Sequence, residues 1–140
     1  MTNYDPQNIF GKILRGEIPS VKVFEDDVLL VVMDVFPQSK GHTLVIPKAA
    51  SRNLLDADPD NLAKVATYFP KLARAVQAAT GAAGIRLAQF SEAAAGQTVF
   101  HLHFHLIPAY TGQPLGRHAV GQADPTELEE LAQSIAAHLT

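Results

Sequence analysis

The chain contains no cysteine. That absence excludes disulfides, thiolate zinc sites and a cysteine nucleophile. Long apolar runs are missing too. Nothing approaches the roughly 20 residues of a membrane-spanning helix, and the N-terminus lacks a signal-peptide pattern, so a cytoplasmic location is expected. Positive charge is scarce: 11 Lys and Arg face 14 Asp and Glu, for a net charge of −3. A protein that holds a nucleic acid polymer needs a broad basic surface, and this balance argues against one. A mononucleotide needs only a small local site and is not excluded. Internal repeats and low-complexity blocks are also lacking.

What is present is 140 residues, 47% hydrophobic and 18% charged, which fits one soluble domain with a real core. Asp5 and Pro6 read as the cap and first position of a helix carrying Ile9, Phe10, Ile13 and Leu14 at helical spacing, stopped by Gly16 and Pro19. "VKVFEDDVLLVVMDV" gives two strands around an acidic turn, and "HTLVIP" gives a third. Asp58-Pro59 opens a second helix, with Leu62, Val65, Phe69, Leu72 and Val76 on one stripe up to Gly81. Pro70 falls inside this stripe and predicts a kink, with two shorter helices as the alternative. "GIRLAQF" and "TVFHLHFHLIP" are further strands, separated by a small, loose "SEAAAGQ". Asp124-Pro125 begins a last helix that buries Leu128, Leu131, Ile135 and Leu139. Strands flanked by helices without strict alternation predict an α+β fold on an antiparallel sheet of about five strands, with a long helix and N- and C-terminal helices.

The stretch "FHLHFHLIP" places His101, His103 and His105 at every second position. On an extended strand they share one face, and Phe100, Leu102, Phe104 and Leu106 take the other, ready to pack under a helix. Core packing accounts for the apolar face but gives no reason for three half-buried imidazoles opposite it. Two chemistries account for them. Neighbouring histidines can grip a zinc ion, but His101 and His105 have backbones about 13 Å apart, so further ligands such as His42 or an Asp would be needed. Alternatively the central imidazole attacks phosphorus or an acyl carbon, one neighbour holds its tautomer, and the other donates to substrate oxygens. Gly96, Gln97 and Thr98, just upstream, offer backbone, amide and hydroxyl groups suited to phosphate. His118, in a loop, and His138, near a helix end, read as unremarkable.

"HLHFHLI" resembles the His-φ-His-φ-His-φ-φ signature of the histidine-triad (HIT) proteins, φ being apolar. "NIFGKILRGEIPSVKVFEDD", "MDVFPQSKGHTLVIPK" and "AGQTVFHLHFHLIP" extend the resemblance in order and spacing to the Hint-like nucleoside phosphoramidase branch, over roughly residues 8 to 110. The resemblance implies a single HIT domain over residues 1–140, a homodimer with a joined sheet, and hydrolysis of purine nucleoside phosphoramidates or related esters without a cofactor or metal. It implies His103 as the nucleophile, His105 at the α-phosphate, and His101 and His42 as support. Asp34 would accept from the ribose hydroxyls; Ile9, Phe10, Ile13 and Val35 would form the base slot; Gly96, Gln97 and Thr98 would cradle the phosphate.

Two departures accompany it. Some relatives carry N-terminal cysteine pairs for structural zinc, which this chain cannot supply. Where relatives usually carry an Asn that contacts the nucleotide, this chain has Phe90-Ser91-Glu92. Phe90, on a loop, is expected to face the site, with inward packing in the core and Ser91 or a water in its place as the alternative, and Glu92 is expected to bring negative charge near the phosphate. A nucleotide-binding or signalling protein with a modified site, and a metal-dependent hydrolase, are the alternatives.

Overall fold

A computed structural model describes residues 4–116 and 121–139; His118 lies outside them. The elements run α1 (Ile9–Leu14), β1 (Lys22–Glu25), β2 (Leu29–Met33), β3 (Thr43–Pro47), α2 (Pro59–Ala66), α3 (Phe69–Thr80), β4 (Gly84–Ala88), β5 (Phe104–Ala109) and α4 (Pro125–Ala137). The strands form one antiparallel sheet in the order β1-β2-β3-β5-β4. The α+β fold expected from the sequence is the fold observed.

Period-two alternation divides the sheet into two unlike faces. Leu29, Val31, Met33, Val45, Phe104 and Leu106 point one way, into a core shared with Leu72 and Val76 of α3 and Leu128, Leu131 and Ile135 of α4. Full burial of such side chains contributes about 1.5–3 kcal/mol each, which fixes the strands under these helices. Leu30, Val32, Leu44 and Ile46 point the other way, against Phe10, Ile13 and Leu14 of α1. This second face is only partly covered, because α1 has six residues. The histidines lie beside α1 on this face, buried.

Four expectations need correction. The expected kinked helix over Asp58–Thr80 is two helices, broken at Thr67 and Tyr68. Pro70 thereby falls at the start of α3, where its missing N–H costs nothing, instead of removing a bond mid-helix. The first helix is capped by Asn8, whose side chain accepts from the Gly11 N–H. Asp5 instead accepts from the Gln7 N–H in the turn before it. The histidine strand begins late: β5 starts at Phe104, so only His105 belongs to the ladder. His101 and His103 sit on backbone that leaves the sheet, since the Leu102 N–H donates to the Ser51 carbonyl. Alternation still carries through this stretch, because Leu102 joins the helix-side core. Finally, "SEAAAGQ" is a tightly bonded loop rather than a loose one, as its contacts below make plain. Among the described residues no helix is long and apolar enough to cross a membrane.

Candidate active site

Four histidines converge where β3 and β5 adjoin, on the α1 side of the sheet, and all four are buried. Backbone groups of fixed polarity assign the proton on His42, His101 and His103, and His42 in turn assigns it on His105. The Gln38 N–H donates to His42 Nδ1 at 3.0 Å, so a neutral His42 carries its proton on Nε2. That nitrogen lies 2.9 Å from His105 Nδ1 and 3.4 Å from Asp34 Oδ2. His105 therefore accepts at Nδ1 and keeps its proton on Nε2. His103 Nδ1 lies 2.6 Å from the His101 carbonyl oxygen. A carbonyl only accepts, so His103 donates from Nδ1 and its lone pair resides on Nε2. His101 donates from Nε2 to the Pro47 carbonyl at 2.7 Å and accepts at Nδ1 from the Tyr4 hydroxyl at 2.7 Å.

Ring contacts hold this arrangement. The Phe10 ring meets His103 edge-on at 4.7 Å between centroids, His103 and His105 are 5.1 Å apart, and Phe90 lies 5.4 Å from His105. The two central imidazoles are bracketed by phenyl rings.

Burial pushes the His101 pKa below the ordinary histidine value, with the Pro47 carbonyl opposing in part. The fold thus favours neutral His101, so its contribution to stability is complete above the unfolded-state value of about 6.5. It is lost as pH falls from there through the folded-state value, because the unfolded chain takes up a proton that the folded chain resists. His101→Gln, which can both donate and accept, is expected to lose less melting temperature than the parent between pH 7 and pH 5.5. Equal losses in the two proteins would contradict this.

Two cavities meet at His103 and His105. The larger, about 350 Å³, is lined by Ile9, Phe10, Ile13, Val32, Asp34, Val35, Leu44 and Val99. Every residue expected of a base slot is there, together with Ile18, Met33, Phe36 and Leu44, which motif reading missed. Val32 and Leu44 had an available signal, lying two positions from Asp34 and His42 along the chain. Asp34 is buried, with Oδ1 accepting from the Phe36 N–H. The smaller cavity, about 160 Å³, is lined by Gln38, Phe90, Gly96, Gln97 and Thr98 with the two histidines.

The loop before His101 is held from within. Buried Gln97 accepts from the Glu92 N–H and the Asn53 amide, and donates to the Arg52 and Val99 carbonyls. Its amide is committed to the loop, so what Gln97 shows the cavity is mainly its position. Thr98 is exposed and borders both cavities. Glu92 has φ 77° and Gly96 φ 104°. The first is a strained conformation for a residue with a Cβ, costing on the order of 1–3 kcal/mol. Glu92 is held there by a two-pronged bond from Arg52, at 2.7 and 3.0 Å, and by Asn53 at 2.7 Å. Arg52 keeps the Glu92 carboxyl below its usual range, so the charge expected near a phosphate is paired with a cation instead. Arg52 and Asn53 escaped the sequence reading; Asn53-x-x-Asp56, which forms a capping box, was the available signal.

Asp34, His42 and His105 bring one carboxylate oxygen and two ring nitrogens within 4.8 Å of one another. The donor types suit a divalent ion, but the tautomers do not. A histidine ligand coordinates through a lone pair and usually donates its other N–H to an acceptor. The Gln38 N–H already points at His42 Nδ1, so coordination through Nε2 would require an imidazolate. The contact between His42 and His105 is a hydrogen-bonded relay.

Fold and site define an α+β protein whose antiparallel sheet presents a hydrogen-bonded set of buried histidines to a two-part cleft. The chain belongs to the HIT domain family, whose model matches residues 15–112. It is 36% identical to adenylylsulfatase HINT3 of Arabidopsis thaliana over 94% of this chain and 68% of that protein. The crystal structure of a Hit-like protein involved in cell-cycle regulation from Bartonella henselae is 51% identical, with a TM-score of 0.90 over 97% of this chain and 99% of that one. A hypothetical histidine triad nucleotide-binding protein from Sulfolobus tokodaii is 32% identical, with a TM-score of 0.84 over 91% of this chain and 89% of that one.

Proposed function

We propose that the protein is a nucleotide-binding hydrolase that cleaves purine nucleoside 5′-phosphoramidates or related nucleotide esters through a nucleotidyl-histidine intermediate. The observation that carries this reading is the bond from His103 Nδ1 to the His101 carbonyl at 2.6 Å, which leaves the lone pair on Nε2. The base occupies the larger cavity among Ile9, Phe10, Ile13 and Val35, and Asp34 accepts from the ribose hydroxyls. Gly96, Gln97 and Thr98 border the phosphate. The names of the Arabidopsis and Sulfolobus relatives, an adenylylsulfatase and a nucleotide-binding protein, agree with it.

His103 Nε2 attacks phosphorus, and the bond to the leaving nitrogen breaks with its electron pair. His105 gives that nitrogen its Nε2 proton, leaving a lone pair there. Water then attacks the phosphorus; its proton passes to His105 Nε2, and the P–N bond electrons return to His103. His42, donating to His105 Nδ1, steadies the proton carrier through both steps.

Phe90 at the site favours a second reading, a nucleotide-binding protein without turnover. Incubation with adenosine 5′-phosphoramidate, with and without chelator, separates the readings. Chelator-insensitive release of AMP is expected. Binding without release would support the second reading, and chelator-sensitive release would overturn a metal-free mechanism.

We also infer a homodimer. Edge strand β4 carries half-exposed Leu87, and an unpaired edge of this kind needs a partner or a cover. The segment from Asp58 to Thr80 and residues 85–89 are the proposed interface. Sedimentation at micromolar concentration should give twice the 15.1 kDa chain mass. A species of single-chain mass alone would contradict it.

A further inference from the structure

We infer that Phe90 is the specificity wall for the leaving group, and that the group expelled is neutral and preferably aromatic. The inference rests on the hydrolase reading above and extends it. A phosphorus atom within reach of His103 sits where the two cavities meet. With the nucleoside in the larger cavity, the remaining substituent on phosphorus extends into the smaller one. The character of that smaller space selects the leaving group.

Its volume, about 160 Å³, suits one small ring rather than a second nucleoside. Among the described residues no Lys, Arg, Asp or Glu lines it. The nearby charges, Arg52 and Glu92, are spent on each other. Gln97 is spent on the loop. A leaving group with its own charge, such as a sulfate, a phosphate or an amino-acid carboxylate, finds no Lys or Arg counter-charge there. The one large apolar side chain is Phe90. One side of its ring is placed by His105, with centroids 5.4 Å apart. Gly96 borders the ring as well, where an added Cβ would lie at an ordinary van der Waals distance of 3.9 Å. Phe90 is nonetheless 39% exposed, which leaves room for a ligand to meet its ring. An aromatic group leaving beside His105 would stack or pack edge-on against it.

The test compares AMP amidates of benzylamine and 2-methoxyethylamine, two primary amines of closely matched basicity, one with a ring and one without. The parameter kcat/KM reports every step up to loss of the amine. The wild-type protein is expected to prefer the benzylamidate by roughly three- to tenfold, the range that aromatic pairing supplies. Phe90→Leu should bring the ratio close to one, and Phe90→Trp should retain it, with melting curves verifying that both variants fold. A wild-type ratio near one would overturn the inference. So would Phe90→Leu slowing both substrates equally, since that is the signature of a residue that only positions His105. Turnover of neither amidate by the wild-type protein would overturn the hydrolase reading, and this inference with it.

Discussion

His103→Ala is expected to lower kcat by at least about a thousandfold while nucleotide affinity changes by only a few-fold. The asymmetry follows from what is removed. A covalent nucleophile stabilises the transition state specifically, whereas in the proposed reading the base slot and Asp34 would bind ground and transition states alike. Structurally, His103 lies buried at the cleft wall, where its Nδ1 bonds to the His101 carbonyl and its ring packs on Phe10 and His105. Steady-state kinetics and an AMP binding isotherm on the same preparation test this. A variant that turns over at near wild-type rate would place the nucleophile elsewhere. A variant that loses binding and turnover together would mean that His103 serves chiefly to shape the pocket.

Gln97→Ala is expected to have the largest effect on stability. The Gln97 side chain satisfies two donors, the Glu92 N–H and the Asn53 amide, and two acceptors, the Arg52 and Val99 carbonyls. Each buried group left without a partner costs about 1–3 kcal/mol. Water re-enters part of so exposed a loop, so the net loss is expected near 3 kcal/mol. For a chain of this length that is a fall of roughly 10 °C in melting temperature. The same deletion releases the strained backbone at Glu92, so the path into Gly96, Thr98 and His101 loosens and kcat/KM falls with it. A melting temperature within about 2 °C of the parent would contradict this account of the loop.

These two residues also mark where sequence is informative and where it is not. The period-two pattern of "HLHFHLI" made it legible that His103 and His105 share a face opposite Phe104 and Leu106, because alternation is a property of extended backbone. The hairpin around Asp26 and the α4 cap at Asp124 were legible for the same local reason. Where the ladder begins was not. The Leu102 N–H pairs with Ser51, a residue some 50 positions away, and no local pattern encodes that choice. Gln97 was legible as a polar residue beside the histidines, but its inward orientation depends on Arg52 and Asn53 arriving from another loop. Pro70 carried an ambiguous signal, since a proline can kink one helix or start a second. The break at Thr67 and Tyr68 selects the second, which costs no hydrogen bond. The tautomers of the relay were the least legible, being set by backbone groups of Gln38, Pro47 and His101 itself.

The central claim is that His103 Nε2 forms a covalent bond to phosphorus. Mass spectrometry of protein acid-free quenched during turnover of adenosine 5′-phosphoramidate tests it most directly. The account predicts a mass increase of one adenylyl group, mapped by peptide fragmentation to His103 and absent from His103→Ala. An adenylyl group mapped to His101, His105 or His42, or carried equally by His103→Ala, would contradict it.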